Sequence, residues 1–159
     1  MKKGDCVSEY KILIKYKDNI FDAEGEKIKK DILNLGFEGI SSIKTAQMYK
    51  ITGDISFEEV KDISENLLLD PITQLLFINS ESKHNGCMVE VFYKYGVTDS
   101  VAETVNLGIK DINIKKNLDI KTGKKYFLQG KIQENKIKII IEKSIVNTLI
   151  QEYRIIYGS

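Results

Sequence analysis

Few residues in this chain are equipped for chemistry, and the densest group is "KTGKKY", from Lys121 to Tyr126. A glycine beside paired lysines has the composition of a phosphate-binding loop, where backbone N–H groups cradle phosphate and a lysine neutralises it. That loop needs another glycine five residues before its Gly-Lys and a hydroxyl residue after it. Leu118 stands at the first position and Lys125 at the second, so the reading fails. A looser one survives, in which Lys121, Lys124 and Lys125, with Lys115 and Lys116 nearby, form a basic patch for a phosphate-bearing ligand or an acidic partner. A solvated lysine-rich hairpin is the plainer alternative.

Nucleophilic catalysis requires a cysteine, a histidine and a carboxylate brought together. The single histidine, His84, lies three residues from Cys87 in "NSESKHNG", Asn79–Gly86, a polar stretch without periodicity. Such a linker fixes no geometry, and a solvated side chain is expected there. No cluster of Cys, His and carboxylates has metal-ligand spacing. RNA-binding sheets set aromatics among basic residues on one face, whereas the adjacent Tyr126 and Phe127 of one strand should point to opposite faces. Cys6 and Cys87 are expected as free thiols of a reducing compartment.

The informative feature is a repetition. "SIKTAQMYKITGDIS", from Ser42, and "DIKTGKKYFLQGKIQ", from Asp119, share the pattern I-K-T-x-x-x-Y-x-x-x-G. At an offset of 77 residues the match extends both ways without a gap. Tyr16, Lys17, Asp22 and Glu26 meet Tyr93, Lys94, Asp99 and Glu103; Lys61, Glu65, Gln74 and Ile78 meet Lys138, Glu142, Gln151 and Ile155. Roughly 16 of about 70 pairs are identical, against about 5 or 6 from composition, which marks a tandem duplication. The expected organisation is a first unit over 1–79, a linker over 80–86 and a second unit over 87–159.

The elements within a unit follow from periodicity. "YKILIKYK" alternates Tyr10, Ile12, Ile14 and Tyr16 against lysines, as a strand with one buried face does. Ile28, Ile32 and Leu35 recur at helical spacing, with Asp22 as N-cap and Gly36 just past the end. "GISSIKTAQMYKITGD" has room for two short strands or one long bent one. Ser56 and Glu59 form a capping box for a helix carrying Val60, Ile63 and Leu67, which Pro71 ends, and "ITQLLFIN" is a strand. The second unit repeats this order. "KIKIIIEK" favours a strand by propensity, and its capped twin in the first unit overrides that. The fold class is therefore α+β: two β-α-β(β)-α-β units, helices on one face of an antiparallel sheet, packed as a pseudo-dimer. A unit of about 70 residues has a marginal core alone.

Composition excludes some classes. The 159 residues are 42% apolar and 30% charged, with a net charge of +1, so no global field draws in nucleic acid or membrane. No apolar run approaches the roughly 18 residues that cross a bilayer. The start shows no signal-peptide pattern, which points to the cytoplasm.

With these residues laid out, the first half resembles PurS, the small subunit of phosphoribosylformylglycinamidine synthase (FGAM synthase). Asp22, Gly25, Leu35, Gly36, Phe37, Gly39, Leu67, Leu68 and Pro71 carry the likeness, and Asp70 replaces the usual Asn. The second half is similar to the unit that follows a PurS-like unit at the start of the large synthase chain of some bacteria. Gly96, Val97, Thr98, Asp99, Tyr126, Gly130, Asn147 and Thr148 carry that match. The resemblance implies a non-catalytic assembly component of a ligase complex that converts an amide to an amidine. It would bridge glutaminase and synthetase subunits, with ATP, Mg and glutamine used by those partners and no cofactor held here. Typical PurS chains carry one unit and dimerise, whereas this chain carries two.

Other classes stand beside this reading. One is a paired α+β module that senses a small metabolite between its units; the other is a homo-oligomer built through exposed strand edges. The residues expected to contact partners are Asp22, Gly25, Asp99, Thr122, Gly123, Lys124, Lys125 and Tyr126. The plainer role for Asp22 and Asp99 is helix capping.

Overall fold

The computed structural model describes residues 7–80 and 84–158, so Cys6 and positions 81–83 of the linker lie outside the described residues. In the first unit, β1 (Ser8–Tyr16), α1 (Ala23–Asn34), β2 (Ile40–Gly53), α2 (Phe57–Ile63) and β3 (Gln74–Ile78) follow in order. In the second come β4 (Cys87–Tyr93), α3 (Ser100–Asp111), β5 (Asp119–Gly130), α4 (Glu134–Ser144) and β6 (Gln151–Tyr157). Local signals account for most boundaries. Ser56 accepts the Glu59 N–H and starts α2, and Gly36 takes φ +91° after α1, as a residue in that place must. Where two short strands or one long one were open, the chain forms a single 14-residue β2. The isoleucine run of α4 is helical: Ile137, Ile140 and Ile141 are buried on one side while Ile139 is exposed.

All six strands form one antiparallel sheet in the order β3-β1-β2-β5-β4-β6. Its centre is the β2–β5 ribbon, where the two halves meet. Gln47 pairs with Lys124, which is its own equivalent 77 residues on, so a pseudo-two-fold axis passes between them. The strand pairings from Ser42–Gln129 to Thr52–Asp119 then come in matched twos, as at an isologous dimer interface. The covalent chain has internalised a dimer.

The four helices lie on one face and exchange halves. Ile28 and Ile32 of α1 pack with Ile137, Ile140 and Ile141 of α4 over Val89, Val91 and Leu128 of the second unit. In return Ala102, Val105 and Ile109 of α3 pack with Val60 and Ile63 of α2 over Ile12 and Ile14 of the first. Each core is thus built from both units. Full burial of one such side chain, Ile32 for example, contributes about 1.5–3 kcal/mol, and much of each core exists only when both halves are present.

Among the described residues the opposite face carries no helix. Leu13, Ala46, Met48, Met88 and Phe127 form its apolar centre. His84 corrects the expectation of a solvated linker side chain: its ring stands edge-on to Phe127, with centroids 5.0 Å apart, and its Nε2 is buried without a hydrogen-bond partner. His84 stands just before β4 and rests on this apolar centre.

Candidate functional site

The repeated Thr-x-x-x-Tyr motif builds the middle of the seam. Because the register is centred between its two ends, Thr45 pairs with Tyr126 and Tyr49 with Thr122. Both threonines point to the helical face, where the N-termini of α1 and α3 arrive. Asp22 caps α1 by accepting the Gly25 N–H at 2.8 Å. It also accepts the Thr45 N–H at 2.6 Å and the Thr45 hydroxyl at 2.9 Å. Asp99 repeats the arrangement with Ala102 N–H at 2.9 Å, Thr122 N–H at 2.8 Å and the Thr122 hydroxyl at 2.8 Å. With three donors on each carboxylate, most of its acceptor positions are taken within the fold. Each Asp is therefore a rivet between a helix end and the seam strand.

Gly25 shows how tightly the first rivet is set. A Cβ there would lie 2.1 Å from the Ile43 carbonyl oxygen, so only glycine lets α1 approach β2 this closely. Tyr126 is buried beside this junction, and burial, with Glu24 and Tyr93 nearby, pushes its phenol well above the ordinary range. Burial raises Tyr49 as well. Neither phenol is placed to give up a proton near neutral pH.

The expected lysine-rich hairpin needs correcting on this basis. "KTGKKY" is not a hairpin but the middle of β5, a central strand. Its lysines alternate across the sheet: Lys124 is on the helical face, while Lys121 and Lys125 are on the other. Lys125 is 2% exposed, its Nζ 5.8 Å from the Phe127 ring centroid, and Lys116 is engaged by Glu59, so the five lysines form no common patch. Asp22, Gly25, Thr122, Gly123, Lys125 and Tyr126 are all buried inside the chain, and Asp99 is half-buried. Only Lys124 keeps substantial exposure, and its Nζ meets Glu24 Oε1 at 2.6 Å. Thr122, Gly123, Lys124, Lys125 and Tyr126 lie on the strand that pairs with β2 at the seam, while Asp22, Gly25 and Asp99 fix helix ends to the seam strand of their own unit. The separation of Tyr126 and Phe127 to opposite faces holds. Cys87 is free and buried, and burial raises its thiol. Among the described residues no group of three or more His, Cys, Asp or Glu could hold a metal ion, and no helix is long and apolar enough to cross a membrane.

Two clefts flank the axis between the helix N-termini, of about 300 and 100 Å³. Their walls correspond residue by residue: Tyr16 with Tyr93, Thr45 with Thr122, Tyr49 with Tyr126, Gln74 with Gln151. Further out, a second motif is duplicated. Asp70 accepts the Ile72 N–H, Asn147 the Leu149 N–H, and Lys17 and Lys94 donate to the carbonyls of Pro71 and Thr148. These turns present Ile72 (80% exposed) and Leu149 (84%) to solvent. Sequence reasoning passed over both, although a turn with an apolar tip at the same place in each repeat was a legible signal.

A protein-family model described as "PurS: Phosphoribosylformylglycinamidine (FGAM) synthase" matches the chain twice, over residues 9–81 and 87–158. No curated protein matches the chain at a significant level.

Proposed function

The chain belongs to the PurS family of FGAM synthase, and from that premise we propose that it is a non-catalytic assembly component of the enzyme, bridging its glutaminase and synthetase parts. One observation carries this reading. The aspartates shared by both repeats, Asp22 and Asp99, are each occupied by a helix N-terminus and a threonine of their own unit, so the repeated chemistry goes into fixing each unit's helix to the strand that forms the seam. A rigid two-fold platform suits a role in which ammonia released by one enzyme must reach another without escaping into water. The apolar tips Ile72 and Leu149 lie at equivalent places and present a matched pair of grips to larger partners.

Affinity purification with the glutaminase and synthetase chains, with glutamine and nucleotide added, tests the proposal. All three chains are expected to co-elute, and Ile72→Glu with Leu149→Glu is expected to reduce recovery of the partners. If the glutaminase and synthetase assemble while this chain elutes alone, the bridging role is wrong. The twin clefts favour a second reading, in which a small metabolite binds between the units. A rise in melting temperature with free amino acids or nucleotides, in the absence of partners, would favour it.

A further inference from the structure

Ion pairs across the seam share one polarity. Glu24 at the start of α1 meets Lys124 of β5 at 2.6 Å, and Glu59 of α2 meets Lys116 at 2.9 Å. Both carboxylates belong to the first unit and both lysines to the second. The equivalent positions carry no such partners: Glu24 corresponds to Val101, Lys124 to Gln47, Glu59 to Lys136 and Lys116 to Gly39. The halves differ in the same sense. Residues 1–79 have eleven lysines against fourteen carboxylates, a net −3; residues 87–159 have twelve Lys and Arg against eight carboxylates, a net +4.

The pseudo-symmetry shows what a unit would meet in a partner of its own kind. Two copies of the second unit would set Lys124 opposite Lys124 on the axis, with Val101 where Glu24 now neutralises it. Lys116 would face Lys136 at both ends of the ribbon. Two copies of the first unit would set Gln47 opposite Gln47, Gly39 near Glu59, and Lys44 opposite Lys50, which Glu9 of its own unit meets at 3.4 Å.

We propose that the seam is coded by charge, so that the second unit accepts only an acidic unit of the first kind, from its own chain or another copy, and rejects a second unit like itself. The present seam holds one pair of opposed lysines, Lys50 and Lys121, with Glu9 meeting Lys50 at 3.4 Å; like charges opposed on paired strands without such a counter-ion are destabilising, and discrimination built on repulsion is how related interfaces avoid mispairing. This does not depend on the role in purine synthesis.

The test uses the full chain with a protease site placed between Ser80 and His84, cleaved after folding. The fragments are separated in urea, mixed and refolded, and the pairs counted by native mass spectrometry. At about 0.1 M salt, pairs of two second units are expected at least about tenfold below a statistical mixture. At about 1 M salt, where the screening length falls to about 3 Å, the bias is expected to shrink. Lys116→Glu with Lys124→Gln is expected to raise pairs of two second units and lower mixed pairs; circular dichroism of the uncleaved variant confirms that it folds. In the intact chain, which needs no reassembly, Glu59→Lys is expected to lower the urea midpoint and added Lys116→Glu to restore it. Statistical pairing at low salt, a bias unchanged by salt and substitution, or a Glu59→Lys chain as stable as the parent would each overturn the proposal.

Discussion

The first and second units hold the same hydrogen bonds with different residues around them. Asp22 and Asp99 make the same three contacts, yet Asp22 is 2% exposed over a glycine while Asp99 is half-buried over Ala102. At the outer turn an ionisable Asp70 in one unit is matched by a neutral Asn147 in the other, with the same N–H accepted. In α2 the helix loosens into a π turn, Ser64–Leu68, where α4 continues unbroken to Ser144. That turn sets Leu67 against Gly108 of α3, where a Cβ would lie 2.7 Å from the Leu67 side chain. The directional bonds at the seam are kept because both helix ends and both strands depend on them. Packing around them differs because each unit now always faces the other and no longer has to fit a copy of itself.

Substitution at matched positions breaks this comparison most sharply at the helix–strand junction. Gly25→Ala is expected to cost more than about 3 kcal/mol, since the methyl meets a backbone oxygen that cannot step aside. Its counterpart Ala102→Gly should cost only about 1 kcal/mol of helix propensity. Urea midpoints at constant m-value measure both. Next come the rivets: Asp22→Ala is expected to lose about 2–3 kcal/mol, since a cap goes and the buried Thr45 N–H and hydroxyl are left unpaired. Asp99→Ala should lose about 1–2 kcal/mol, water replacing part of what is removed. Equal losses at the two positions would show that burial does not set the difference.

Smaller effects sharpen it. Glu24→Gln removes a cross-seam ion pair whose members are nearly half exposed, so about 0.5 kcal/mol is expected, fading with salt. The least effect at neutral pH is Asp70→Asn. The Thr73 hydroxyl and then the Ile72 N–H hold the Asp70 carboxyl below its ordinary pKa. A depressed folded-state pKa contributes stability that is present above the unfolded value and lost as pH falls through the folded one. Below about pH 4 the parent should therefore lose stability relative to the Asp70→Asn chain, and above it the two should differ little. Urea midpoints at pH 3 and pH 7 decide it. Tyr153, raised to about 12 by burial and by its bond to Glu142, stays protonated across this range and does not confuse the comparison.

The sequence alone determined the elements and their duplication, because strand alternation, helix caps and the 77-residue correspondence are local or internal to the chain. It placed α4 correctly against its own strand propensity, since the twin segment carried the capping signal. It also marked Asp22, Asp99 and the Thr-Tyr motifs as positions that matter. What they do was decided by tertiary structure. Whether "KTGKKY" is an exposed hairpin or a central strand depends on which strand lies beside β5, and that pairing joins residues 67 to 90 apart with no local trace. The exchange of α1 and α3 between halves, the burial of Lys125 and the resting of His84 on Phe127 follow from that one pairing. Burial is a property of neighbours, and the neighbours here come from the other half of the chain.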